Sequence, residues 1–172
     1  MNHPIRILLV DDSLHFLAAA RDFLHLQDSF RVIATAMDGG EAVKQSRRLE
    51  PDFILLDLNL ANTSGLDLIP IFKQHVPHAK IIVLTIMQEE PYRIAAMRAG
   101  ADAFVHKTAM SKSLISVILE LAKSDLDRGN NQKSHDDITE MVADNNGTQS
   151  SGAASESTEP TSIITMKQEP NS

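Results

Sequence analysis

Four positions able to do chemistry stand at the carboxyl ends of apolar runs. Asp11-Asp12 follow residues 5–10, Asp57 ends 52–57, Thr85 ends 80–85, and Lys107 follows 102–106. Crowded carboxylates repel one another, so they gain from a hard divalent cation, and magnesium prefers oxygen ligands. A carboxylate beside such an ion is a nucleophile for phosphorus and forms an acyl phosphate, while the ion offsets charge on the incoming group. A hydroxyl and an ammonium nearby stabilise the phosphoryl oxygens. Taken singly, each residue has a plainer reading. Asp11-Asp12 reads as a solvated turn or helix cap, Asp57 as a loop cap, Thr85 as a strand residue and Lys107 as a surface charge. Their joint placement carries the chemistry.

The elements that must position them are legible in the hydrophobic pattern. Runs 5–10, 52–57 and 80–85 hold unbroken apolar stretches at 7–10, 53–56 and 81–84, which suits strands covered on both faces of a parallel sheet. Weaker strands fit 31–36 and 102–106. Helical spacing appears in 13–27, 39–49, 65–75, 91–99 and 110–123. Asp38 and Glu41 predict a variant capping box at one start. Pro91 suits the opening of the fourth helix and Gly100 its end. Five strand–helix alternations predict an α/β, flavodoxin-like (βα)5 doubly wound parallel sheet with strand order 2-1-3-4-5. Ligands of such sheets sit beyond the carboxyl ends of the strands, which is where all four positions fall.

Charge divides the chain. Residues 1–123 carry 14 acids and 13 bases, whereas 124–172 carry 9 acids and 3 bases. The predicted domain is 1–123; 124–172 is an acidic, polar tail too poor in apolar residues to offset its ordering entropy, and is predicted to be disordered. An acidic tail is repelled by nucleic acid, so direct nucleic-acid binding is not expected. The absence of cysteine excludes disulfides and cysteine-ligated metals. No apolar run approaches the roughly 20 residues of a membrane span, and the first residues do not form a signal peptide; the expected location is cytoplasmic. The seven histidines show no metal-like spacing on one helix face.

The stretches ILLVDDS (7–13), PDFILLDLNL (51–60), IIVLT (81–85) and AGADAFVHK (99–107) resemble the receiver domains of bacterial two-component response regulators. The wording, Lys107-Thr108 included, is closest to receivers of the LuxR/NarL-type class, although the tail shows no paired amphipathic helices of a helix-turn-helix output domain. The resemblance implies a signalling switch rather than an enzyme. Asp57 would accept a phosphoryl group from a sensor histidine kinase or phosphotransfer protein. Asp12 and Asp57 would hold magnesium through their side chains, Asn59 through its backbone carbonyl and Asp11 through water. Thr85 would hydrogen-bond the phosphoryl group, Lys107 would pair with it, and Phe104 would be the aromatic switch residue. The face of the fourth helix, fifth strand and fifth helix would then change and control an output protein.

Three positions depart from that pattern. Ala61 replaces a common proline in the loop after Asp57, Ile86 replaces a small residue after the threonine, and Thr108 replaces a proline after the lysine. Bulk at Ile86 is expected to narrow access and slow phosphotransfer. In the last helix, seven of the nine residues 114–122 are apolar, more than one sheet face needs. The excess around Ile115, Leu119 and Ala122 is expected to be a partner surface, with a homodimer as one option. The alternative function is a receiver-like interaction module independent of phosphorylation; its signature, loss of an acidic residue or of the lysine, is absent. A phosphatase of the haloacid-dehalogenase kind needs an Asp-x-Asp pattern after the first strand, which Asp11-Asp12-Ser13 does not supply.

Overall fold

The computed structural model describes residues 3–87 and 90–124. The predicted tail, except for Ser124, lies outside the described residues. Strands and helices alternate along the described chain: β1 (Ile5–Val10), α1 (Leu14–His25), β2 (Phe30–Ala36), α2 (Gly39–Leu49), β3 (Phe53–Leu56), α3 (Gly65–His75), β4 (Lys80–Thr85), α4 (Glu90–Ala99), β5 (Ala103–His106) and α5 (residues 110–124). A two-residue ribbon, Asn59–Leu60 against Thr63–Ser64, interrupts the β3–α3 connection. The five main strands are all parallel, in the order β2-β1-β3-β4-β5. This is the predicted flavodoxin-like architecture.

The continuous apolar runs have a direct structural cause. Successive strand side chains point to opposite faces, and both faces are covered. Leu8, Ile54 and Ile81 are laterally paired and belong to one core layer with Ala42, Leu68, Phe72 and Ala96 of α2, α3 and α4. Ile7, Leu9, Leu55 and Leu84 point the other way, into a layer with Leu17 and Leu24 of α1 and Leu114 and Ile118 of α5. Each fully buried Leu or Ile contributes about 1.5–3 kcal/mol relative to exposure, so a polar residue inside any of these runs would be costly.

Local signals set the helix ends. Ser13 caps α1, its hydroxyl accepting from the Phe16 N–H at 3.3 Å. Asp38 caps α2 as predicted, accepting from the Glu41 N–H at 2.8 Å. The reciprocal half of the box differs: the Glu41 carboxylate accepts from Met37 N–H, not from Asp38. Gly100, at φ +109°, ends α4 with its N–H on the Met97 carbonyl and Ala101 N–H on that of Ala96. Glycine reaches this left-handed region without steric cost.

Candidate functional site

Register brings the acidic residues together. Val10 of β1 pairs with Leu56 of β3, so the next residue in each parallel strand, Asp11 and Asp57, leaves the sheet side by side. Backbone bonds hold both there: Asp11 N–H donates to the Ala36 carbonyl at 3.0 Å and Asp57 N–H to that of Val10 at 2.9 Å. Thr85 is opposite His106 at the end of β4, and Lys107 follows directly in the 3-10 turn Lys107–Ala109. Asp11, Asp57 and Thr85 are 2%, 4% and 0% exposed. Burying two carboxylates without compensation is expensive.

Lys107 provides the compensation. Its Nζ donates to Asp57 Oδ2 at 2.6 Å and is also 2.6 Å from Asp11 Oδ2. One ammonium thus contacts an oxygen of each buried carboxylate. Asp11 Oδ1 accepts from Ser13 N–H at 2.9 Å, and Asp57 Oδ1 from Asn59 N–H at 3.3 Å. Burial pushes the Asp11 carboxyl above its ordinary value; Lys107 and the Ser13 N–H pull it down without cancelling that, and the charge of Asp57 adds to the rise. Burial draws the Lys107 ammonium down, but its contacts with Asp11 and Asp57 outweigh this and hold it above its usual value.

The donor set suits a hard cation. Asp11, Asp12 and Asp57 each offer a carboxylate oxygen, all within 4.8 Å of one another. All three ligand atoms are carboxylate oxygens, the donor type that a hard divalent ion prefers. Asn59 is exposed at the rim. Beside the cluster opens a cleft of about 370 Å³ lined by Asn59, Thr63, Met87 and Tyr92, among others.

The remaining predicted residues have varied surroundings. Thr85 Oγ1 accepts from Met87 N–H at 3.3 Å. Phe104 is half-buried against the core layer of α2, α3 and α4. Ile86 is 63% exposed, so most of its bulk meets solvent, and Ala61 and Thr108 are also exposed. Ile115 and Ala122 pack partly against the α1/α5 core layer; of the three predicted surface residues, Leu119 is the exposed one, at 39%.

Three contributors escaped the sequence reading. The Phe16 ring centroid is 4.3 Å from Lys107 Nζ, a cation–π distance. Gly65 sits so close to the acidic loop that a Cβ there would come under 3.0 Å from the Asp57 carbonyl oxygen and Leu58 Cα. His106 bridges the Ile86 carbonyl and the Thr108 hydroxyl. Only Gly65 carried a signal, as a glycine at the junction of loop and helix; the other two are tertiary contacts.

Comparison with known proteins is consistent with this geometry. The response regulator receiver domain family model matches residues 7–119. The chain is 34% identical over 120 residues to the nitrate/nitrite response regulator protein NarP of Escherichia coli (strain K12), covering 70% of this chain and 56% of that protein. It is 29% identical over 121 residues to the transcriptional regulatory protein DegU of Brevibacillus brevis, covering 70% and 51%. The chain thus spans about half the length of these curated relatives. Among solved structures, a LuxR-family two-component response regulator from Aurantimonas sp. SI85-9A1 is 28% identical with TM-score 0.67, covering 71% of this chain and 87% of that one. The response regulator domain of Thermotoga maritima CheB is 31% identical with TM-score 0.59, covering 71% and 93%.

Proposed function

Because this chain belongs to the response regulator receiver domain family of two-component signalling proteins, we propose that Asp57 accepts a phosphoryl group from a sensor histidine kinase or phosphotransfer protein. The observation that carries this reading is the Lys107 ammonium 2.6 Å from both Asp57 and Asp11, with Asp12 completing an all-oxygen cluster. A carboxylate oxygen of Asp57 attacks phosphorus as the phosphorus–nitrogen bond of the donor phosphohistidine breaks. The donor imidazole leaves with the bonding pair, and an aspartyl phosphate forms. Lys107 keeps its proton and pairs with a phosphoryl oxygen, and the Thr85 hydroxyl donates to another. Asp11, Asp12, Asp57 and the Asn59 carbonyl would hold magnesium, which when bound offsets phosphoryl charge.

The new charge at one strand end then shifts a two-state equilibrium. Thr85 moves toward the phosphoryl group, Phe104 turns inward, and the α4/β5/α5 face changes its affinity for an output protein. Residues 1–123 form the receiver, with 124–172 an acidic tail, and the site of action is the cytoplasm. Direct nucleic-acid binding forms no part of this reading. The test is incubation with acetyl phosphate and magnesium followed by intact-mass measurement. Wild type gains one phosphoryl group and Asp57→Ala gains none. An unmodified wild type rejects the assignment in favour of a phosphorylation-independent interaction module, and modification that survives Asp57→Ala moves the phosphoryl group to another residue.

A further inference from the structure

His106 is one residue before Lys107, and nothing in the phosphotransfer scheme uses it. Its ring is nevertheless held at both nitrogens. Nε2 is 2.8 Å from the Ile86 carbonyl oxygen. That oxygen can only accept, so Nε2 carries the hydrogen. Nδ1 of this tautomer is an acceptor, and the Thr108 hydroxyl donates to it at 2.6 Å. Thr108 N–H approaches the same nitrogen at 3.4 Å. The Ile86 carbonyl thus selects this tautomer, and the Thr108 hydroxyl and N–H, both on Nδ1, hold the ring in place for that donation.

Ile86 is the residue after Thr85, whose hydroxyl oxygen is itself engaged by Met87 N–H. Among the described residues of the β4–α4 connection, Met87 N–H bonds back to Thr85 and His106 on β5 bonds across to Ile86. The Ile86 side chain is mostly in solvent, so side-chain packing does little to fix its backbone.

We propose that His106 is a positioning residue, a tether from β5 that holds the Thr85–Met87 backbone in the arrangement seen here and must yield before Thr85 can engage a phosphoryl group. The tether opposes phosphorylation and is set by Thr108. This inference rests on the reading of Asp57 as phosphoacceptor. Removing one neutral hydrogen bond at its usual net worth changes the balance between the two loop positions about fivefold.

The test compares His106→Leu, His106→Gln, Thr108→Val and the His106→Leu/Thr108→Val double variant in the full chain. Two readouts are used: amide exchange of Ile86 and Met87 without phosphodonor, and the rate of phosphorylation by acetyl phosphate with magnesium. His106→Leu should speed exchange at 86–87 and raise the phosphorylation rate about fivefold. His106→Gln, whose amide can still donate from the position of Nε2, should restore both values toward wild type. Thr108→Val should move both in the same direction by less, and should add nothing when His106 is already Leu. Unchanged exchange in His106→Leu overturns the tether. Faster exchange with an unchanged rate overturns its role in switching. Failure of glutamine to rescue would mean that the imidazole acts by packing and also overturns it. Should His106→Leu fail to fold, Thr108→Val at its exposed position decides alone: wild-type values in both readouts reject the proposal. If wild type takes up no phosphoryl group, the Asp57 assignment fails, while the exchange data still report on the tether.

Discussion

Lys107 Nζ donates to Asp57 Oδ2 at 2.6 Å across 50 residues of sequence. The same ammonium touches Asp11, so one cation serves two buried carboxylates. Removing it leaves two like charges together without compensation, which costs several kcal/mol when no water or ion replaces it (about 3–5 for a broken buried pair). Lys107→Met should therefore melt well below wild type without divalent ions and recover much of the loss when magnesium is added. Phosphorylation of this variant should fall by about 10²-fold or more, the size of losing one preorganised charge partner. Thermal melts with and without magnesium, followed by timed intact-mass measurement, check both. A variant as stable as wild type in chelator would count against the pairing.

Asp11 gives a pH dependence of definite sign. Burial raises its pKa in the folded protein above the ordinary 3.8. A raised folded-state value means the native state holds the proton more tightly than the unfolded chain does. The corresponding stability is fully present below the unfolded value and is lost as pH rises through the folded one. At neutral pH the ionised Asp11 therefore costs stability that a cation would offset. Asp11→Asn should melt higher than wild type near pH 7 in chelator, lose that advantage as the solution is acidified, and show weaker magnesium binding at every pH. Wild-type magnesium affinity should begin to fall at a higher pH than an ordinary carboxylate would dictate. A pH series of melts with and without magnesium reads all of this; an Asp11→Asn protein less stable than wild type in chelator rejects the burial argument.

The fold was legible because β1, β3 and β4 hold unbroken apolar runs at 7–10, 53–56 and 81–84, the pattern of strands covered on both faces. Asp11, Asp57, Thr85 and Lys107 were legible as a group because parallel strands end together and each residue stands at such an end. Phe16 falls within the helical stretch 13–27, yet its ring also reaches Lys107, a contact between α1 and the end of β5 that no periodicity encodes. His106 looked like one of several unremarkable histidines, because its partners are a backbone carbonyl 20 residues away and a hydroxyl made relevant only by the 3-10 turn. In α5 the periodicity does not separate Ile115 and Ala122, half-buried against the core layer shared with α1, from Leu119, which is exposed.

Gly65 governs the loop that carries Asp57. Its N–H donates to the Leu58 carbonyl at 2.9 Å, and a methyl group at this position would press on backbone atoms of Asp57 and Leu58. Backbone cannot swing aside as a long side chain can, so Gly65→Ala must displace the loop or the first turn of α3. We expect a loss of about 1–3 kcal/mol, as for overpacking in a rigid site, and a larger proportional loss of magnesium binding than of stability. Urea unfolding and magnesium titration measure the two. Equal magnesium affinity in a folded Gly65→Ala protein would disprove the coupling.

Phe16 should matter through its ring. Phe16→Leu keeps apolar bulk on α1 but removes the π face 4.3 Å from Lys107 Nζ. A partly desolvated cation–π contact contributes about 1 kcal/mol, so Lys107 in the variant should be less firmly placed and the phosphorylation rate about fivefold lower, with Phe16→Tyr close to wild type. If Leu and Tyr variants phosphorylate at the same rate, the ring contributes only packing.

Leu119 offers the last prediction. It is 39% exposed and, with Pro4, Ile5 and Ala122, borders a groove of about 400 Å³ between the start of β1 and the end of α5. Exposed apolar side chains grouped at one edge favour association when a matching surface meets them, and a second copy supplies the same surface by two-fold symmetry. Leu119→Glu should therefore shift self-association to higher protein concentration. Folding stability should change by no more than about 0.5 kcal/mol, because the position lies outside the core. Sedimentation over a range of concentrations, with and without phosphodonor, gives the answer. A wild type that stays monomeric throughout, or a Leu119→Glu protein that associates as wild type does, removes this surface from consideration as a self-contact.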